Sequence, residues 1–167
     1  MEYTYTDSYG SEETVSAVRV EKDPLVYFVP STFSFRQSTD SENSTTDWYF
    51  HENGGHLSVQ RYFLQFEGNE APDGYTMLSQ RAEEIPTCIV RPAKLQSGFS
   101  MITYEEPSDE GEHLVRYCCE LCDSREALLA VVLFASTIHL DDLNRMDLGF
   151  YSRVVKEYAR MTQWRYD

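Results

Sequence analysis

The chain has 167 residues, 41% of them hydrophobic and 14% aromatic. That composition supplies one folded core and excludes global disorder. Asp and Glu number 28 against 14 Lys and Arg, for a net charge of −14, which disfavours direct nucleic-acid binding, because phosphate contacts need clustered cations.

Residues 1–14 are mostly Tyr, Thr, Ser and Glu without apolar periodicity, and they read as a flexible N-terminal arm. Residues 15–167 read as a single α/β domain. Val15 to Val20 alternates, and Asp23-Pro24 marks a turn. Leu25 to Val29 is a short apolar strand that stops at Pro30, and Phe33 and Phe35 start another. Gln37 to Thr46 is polar throughout and reads as an exposed loop. Trp48 and Phe50 then share one face of a strand. Asn53-Gly54 supplies a hairpin turn into a long strand from His56 to Phe66.

Asp73 has the character of a helix N-cap. Tyr75, Leu78, Ala82 and Ile85 follow at helical spacing, and Pro86 ends the segment. Strands are predicted at Thr87 to Val90 and Phe99 to Tyr104. Glu105 to Glu112 is an acidic loop with five carboxylates in eight residues.

His113 to Cys122 and Ala127 to Phe134 form a hairpin around a turn at Asp123 to Glu126. The second of these strands is apolar at every position, as expected of a strand buried on both faces. Leu143 to Met161 is a closing helix with Tyr151, Val154, Val155, Tyr158 and Met161 on one stripe. Arg145, Arg153, Lys156, Arg160 and Arg165 cluster in this helix and the tail, where cations complement the helix dipole. Val131, Leu133, Val154 and Tyr158 are expected to pack together.

The predicted fold class is therefore α+β: a single-domain sandwich, mostly antiparallel β-sheet, with a mid-chain helix and a C-terminal amphipathic helix.

The sequence lacks a nucleophile elbow, a phosphate-binding loop and a dinucleotide fingerprint. Cys119-Glu-Leu-Cys122 is a C-x-x-C inside a strand, whereas redox pairs sit at helix N-termini. Cys118, Cys119, Cys122 and His113 are close in sequence, but strand alternation splits them between faces, so neither zinc nor a disulfide is expected. His51 and His56 flank a turn and could meet a metal across the hairpin; exposed turn histidines are the commoner outcome. Adjacent carboxylates such as Glu83/Glu84 and Asp141/Asp142 do not converge on one bond. No catalytic residue, metal or cofactor is expected.

Tyr75 to Ile85, Phe99 to Tyr104, His113 to Cys122, Ala127 to Ser136 and Met146 to Met161 follow one another in an order that resembles the PsbP/DcrB-like α/β sandwich. Leu133-Phe-Ala-Ser-Thr137 before an acidic helix entry is the closest local echo. The resemblance covers residues 45–162. It implies a kinship in fold with periplasmic proteins, chaperones for secreted effectors and immunity proteins that block a cognate toxin.

The N-terminus has neither the basic nor the apolar region of a signal peptide, and no stretch reaches the roughly 18 apolar residues of a membrane span. A cytoplasmic protein without membrane association is expected. The function expected is non-enzymatic: an acidic immunity or antitoxin protein that neutralises a basic toxin or secreted effector. Glu105, Glu106, Asp109, Glu110 and Glu112 are its expected contact surface, with Asp40, Glu42 and Asp47 as a second patch. Two other binding functions are open: a secretion-effector chaperone or adaptor with an apolar groove, or an acidic nucleic-acid mimic of phage or viral origin. An enzyme with a dispersed site is the remaining class.

Overall fold

The computed structural model describes residues 2–6, 12–51, 55–68, 70–86, 88, 91–107, 114–139 and 155–166. Two antiparallel sheets face each other. The smaller contains β1 (Glu2–Thr6), β2 (Glu12–Lys22), β3 (Leu25–Pro30) and β11 (Gln163–Trp164), in that spatial order. The larger contains β4 (Phe33–Asp40), β5 (Ser44–His51), β6 (His56–Gln65), β7 (Ala93–Lys94), β8 (Ser100–Pro107), β9 (Leu114–Arg125) and β10 (Leu128–His139). Their order across the sheet is β4-β5-β6-β10-β9-β8-β7. Helix α1 (Gly74–Glu83) lies over β8 and β9 on the far side of the larger sheet. The α+β sandwich is thus present, with its long apolar strand β10 at the centre.

Alternation along β10 divides the interior into two cores. Ala130, Val132 and Phe134 face the smaller sheet, where they meet Leu25, Tyr27, Val29, Tyr158 and Trp164. Leu129, Val131 and Ala135 face α1 and pack with Leu78, Ile102 and Tyr104. Val131 and Leu133 therefore do not share a core with Tyr158, as the sequence had suggested. Residues at odd and even positions of one strand cannot reach the same layer. Val154 lies outside the described residues.

The C-terminal segment ties the layers together. Residues 155–159 are helical; the rest of the expected Leu143 to Met161 helix falls outside the described residues or, at Arg160 and Met161, in a turn. The Tyr158 hydroxyl donates to the Val15 carbonyl at 3.1 Å. Trp164 stacks on Phe99, with ring centroids 5.7 Å apart, and its Nε1 donates to Asp123 Oδ2 at 2.7 Å. On the opposite face of the larger sheet, α1 begins as expected. Asp73 Oδ2 accepts from the Thr76 amide at 3.2 Å. Gly74 follows because a Cβ there would sit 2.4 Å from the Cys122 carbonyl oxygen.

Several sequence expectations are corrected. Residues 2–6 are not a loose arm but strand β1, paired with β2 from Glu2↔Ser16 to Thr6↔Glu12. Gln37 to Thr46 is not a loop: β4 and β5 run through it, turning tightly where the Ser41 amide donates to the Ser44 carbonyl at 2.8 Å. β9 continues through Arg125, so the turn at Asp123 to Glu126 starts later, at Glu126, which takes a positive φ of 54°. Glu105 and Glu106 belong to β8 rather than to a loop. Thr87, Ile89 and Val90 of the expected 87–90 strand lie outside the described residues, as do residues 52–54 at the Asn53-Gly54 turn.

Strand alternation also separates the chemistry-bearing residues noted above. Cys119 belongs to the core under the smaller sheet, and Cys118 and Cys122 to the core under α1. The two ends of the C-x-x-C thus point to opposite faces. Burial pushes each of these three thiols up to about 12. They should be inert in the folded state. A disulfide reagent at pH 8 is expected to titrate Cys88 at most in the native protein and all four cysteines in urea. Fast native labelling of Cys119 or Cys122 would contradict this burial. His51 and His56 diverge in the same way. His51 is buried beside Phe33, at 5.3 Å between centroids, whereas His56 lies opposite Phe50 on the other face, next to Trp48. The hairpin does not bring them together.

Candidate functional site

The carboxylates expected to form a contact surface occupy quite different places. Asp109, Glu110 and Glu112 lie outside the described residues. Glu105 is exposed, and Glu106, its neighbour, points to the opposite face of β8 and is ion-paired with Arg116. Asp40 and Glu42 are exposed at the β4–β5 turn, with Asp40 Oδ1 accepting from Thr45 Oγ1 at 2.9 Å. Asp47 is a correction: its side chain is fully buried between the sheets. It faces inward because it shares the core face of β5 with Tyr49. Its carboxylate accepts from Tyr27 Oη at 2.5 Å, Ser38 Oγ at 2.6 Å and Arg61 Nη2 at 3.2 Å. Asp47 has no part in a solvent-facing surface.

The two expected patches also lie apart. Glu105 is level with Tyr117, Ser136, Leu57, Tyr49 and Phe35 across the sheet, whereas Asp40 is level with Thr45, Arg61, Val132, Leu121 and Met101. With β4 and β8 at well-separated positions in the sheet, five strand spacings of about 4.8 Å put them roughly 24 Å apart across the sheet, and the offset of five residues along β4 adds to that.

The topology instead gives Asp40 and Glu42 other acidic neighbours. Ser44 is opposite Tyr62, so the β4–β5 turn projects at the end of the sheet where β6 finishes. The chain leaving β6 crosses the β9–β10 turn there: Phe66 N–H donates to the Ala127 carbonyl at 2.8 Å and Ala71 N–H to the Glu126 carbonyl at 2.7 Å. Asp40, Glu42, Glu67, Glu70, Asp73 and Glu126 are all exposed along this end. The rim spans about 20 Å, four strand spacings. Among the described residues, none of these six carboxylates is in an ion pair, while Arg19, Arg61, Arg81, Arg116, Arg160 and Arg165 are each paired with an acid elsewhere. Glu67, Glu70 and Glu126 went unnoticed in the sequence because only the crossing of two connections makes them neighbours.

A second acidic group has a different character. Glu120 is buried under α1 and accepts from Arg81 Nε at 3.3 Å. Burial raises its carboxyl above the ordinary value, only partly opposed by Arg81. The folded state therefore holds this proton more tightly than the unfolded chain. Its contribution to stability falls as pH rises from the ordinary carboxyl value through the raised one, and returns as pH falls. Urea midpoints for the native protein should thus show a component that declines over this window and is absent in Glu120→Gln. Identical pH profiles for the two proteins would mean that Glu120 is not desolvated.

A groove of about 430 Å³ lies beside α1, lined by Tyr75, Ser79, Ala82, Glu83, Cys88, Arg91 and Pro92. Ser79 Oγ donates to the Tyr75 carbonyl at 2.8 Å, so this hydroxyl is committed to its own helix. Among the described residues no group of three or more His, Cys, Asp or Glu is arranged to hold a metal ion. No helix of the described residues is long and apolar enough to cross a membrane.

No family model matches the chain, and no curated protein matches it. Six chains of solved structures match. One is LpqN of Mycobacterium tuberculosis, described as involved in cell envelope biogenesis; it is 13% identical, with a TM-score of 0.45, over 89% of this chain and 90% of that one.

Proposed function

We propose that the protein is a non-enzymatic, acidic binding protein of the immunity or antitoxin kind, which occludes a basic toxin domain or secreted effector in the cytoplasm. The observation that carries this reading is the exposed rim of Asp40, Glu42, Glu67, Glu70, Asp73 and Glu126 on a chain of net charge −14. Exposed carboxylates without internal counter-ions give this end of the sheet a negative potential, which draws in and is neutralised by a Lys- and Arg-rich partner. An effector chaperone would instead need a contiguous apolar surface. Among the described residues, the exposed large hydrophobics Val18, Phe35, Leu64 and Tyr166 are scattered over β2, β4, β6 and the tail.

Charge reversal tests the reading. With a Lys- and Arg-rich protein that binds the native chain as partner, Asp40→Lys, Glu42→Lys, Glu67→Lys and Glu70→Lys combined should slow association about 10–100-fold at low salt and flatten its salt dependence. The urea midpoint should change little, since these side chains are exposed. An association rate and salt response equal to those of the unaltered protein would reduce the rim to a solubilising surface.

A further inference from the structure

We infer that the free edge of β4 receives an extended, Lys- and Arg-rich segment of the partner by strand addition. This rests on the reading of the protein as a binder of basic partners, and it names the kind of segment bound and where.

The larger sheet ends in two unlike edges. At one end β7 is only two residues long. At the other, β4 offers eight residues hydrogen-bonded to β5 alone. Every residue from Ser34 to Asp40 is exposed, and among the described residues no strand pairs with this outer edge. Exposed edges are commonly blunted by Lys, Pro or a bulge. Within Phe33–Asp40 there is no Lys or Pro; the strand's one cation, Arg36, sits at its one irregularity, between Phe35 and Gln37, and lies over the Phe50 ring of β5 at 5.5 Å. Pairing then runs unbroken from Gln37↔Trp48 to Asp40↔Thr45. Among the described residues, the outer side of this length has no partner strand, and it lies beside a Phe35 ring that is 55% exposed.

Charge selects the occupant. The open length finishes at Asp40, and the turn beyond it carries Glu42; both belong to the acidic rim. An incoming strand gains main-chain hydrogen bonds along Gln37 to Asp40, places an apolar side chain over Phe35, and brings cations to Asp40 and Glu42. A second copy of this chain would pair the same edge, but it would bring another net charge of −14. The repulsion disfavours that occupant.

The test uses the full chain and a synthetic decapeptide of alternating Lys and Thr. Its controls are the same peptide with alternate backbone amides N-methylated, and a Glu/Thr peptide. Amide hydrogen exchange locates the contact, titration at two salt concentrations gives affinity, and sedimentation gives the oligomeric state. The expected result is at least tenfold slower exchange within residues 34–40 on adding the Lys/Thr peptide. Affinity should fall at least tenfold on N-methylation, fall about tenfold with Asp40→Lys and Glu42→Lys together, and be absent for the Glu/Thr peptide. If the N-methylated peptide binds equally well and protection does not reach β4, strand addition is wrong while acidic binding stands. If no basic peptide binds even at low salt, both fail. If the protein alone sediments as a dimer with β4 already protected, the occupant is a second copy and the proposal is overturned.

Discussion

Phe134→Ala is expected to destabilise the protein by about 3–5 kcal/mol, while Leu133→Ala, one residue away, costs roughly half as much or less. The difference follows from the faces of β10. Phe134 is 1% exposed and meets the Tyr27 ring edge-on at 5.9 Å, in the core between the sheets. Truncating it opens a cavity between two β-sheets, which cannot close without shifting a strand. Leu133 points the other way and is only partly buried where α1 leaves the sheet uncovered. Solvent can fill the space it vacates. Urea denaturation of both variants at one pH gives the comparison. Equal costs would mean that the two faces of β10 are equally buried, and the layer assignment would fail.

That pair of residues marks how far the sequence could be read. The unbroken apolar run of β10 declares burial on both faces, so its central position was legible. A run without alternation says nothing about which residues face which layer. The helix after Asp73 was legible because a cap and apolar spacing agree. β1 was missed because Tyr3, Thr4, Tyr5 and Thr6 contain no aliphatic residue, although Tyr and Thr both favour strands. The later half of β4, from Gln37, was missed for a related reason. An edge strand exposed on both sides has no apolar face to display, and Gln37, Ser38, Thr39 and Asp40 have the composition of a loop. The smaller sheet closes only when β11 pairs with β3, through Gln163↔Val26 and Trp164↔Leu25. Contacts so distant in sequence leave no local pattern. The acidic rim was half visible: Asp40 and Glu42 were singled out, but their neighbours come from the connections after β6 and β9.

Asp47 carries the other large effect, because the sequence reading and the structure predict opposite outcomes. As a solvated acid, Asp47→Ala should alter stability by no more than about 0.5 kcal/mol. As the buried acceptor seen here, it should cost about 3–5 kcal/mol. Its strand held the clue. Trp48 and Phe50 share one face of β5, so Asp47 must lie with Tyr49 and His51 on the other, which is the core face. There Tyr27 of β3 reaches across from the smaller sheet, with its hydroxyl 2.6 Å from Tyr49 Oη and 2.5 Å from Asp47 Oδ2. Burial, followed by the hydrogen bond to Asp47, pushes the Tyr27 hydroxyl far above the ordinary phenol range, so it remains a donor. Arg61, only 8% exposed, supplies the compensating charge. Its Nε already lacks an acceptor among the described residues. Removing the carboxylate strands this guanidinium and leaves the buried Tyr27 hydroxyl with Tyr49 alone. Asp47→Asn keeps the shape but leaves Arg61 without its counter-charge, so most of the cost should remain. Asp47→Leu combined with Arg61→Met removes both charges and should recover much of the loss, since an apolar pair needs no desolvated partner. Urea midpoints for the three variants settle the matter. Recovery in the double variant identifies an uncompensated charge as the source of the damage, whereas equal losses in all three would make packing around Asp47, not its charge, the bond between the two sheets.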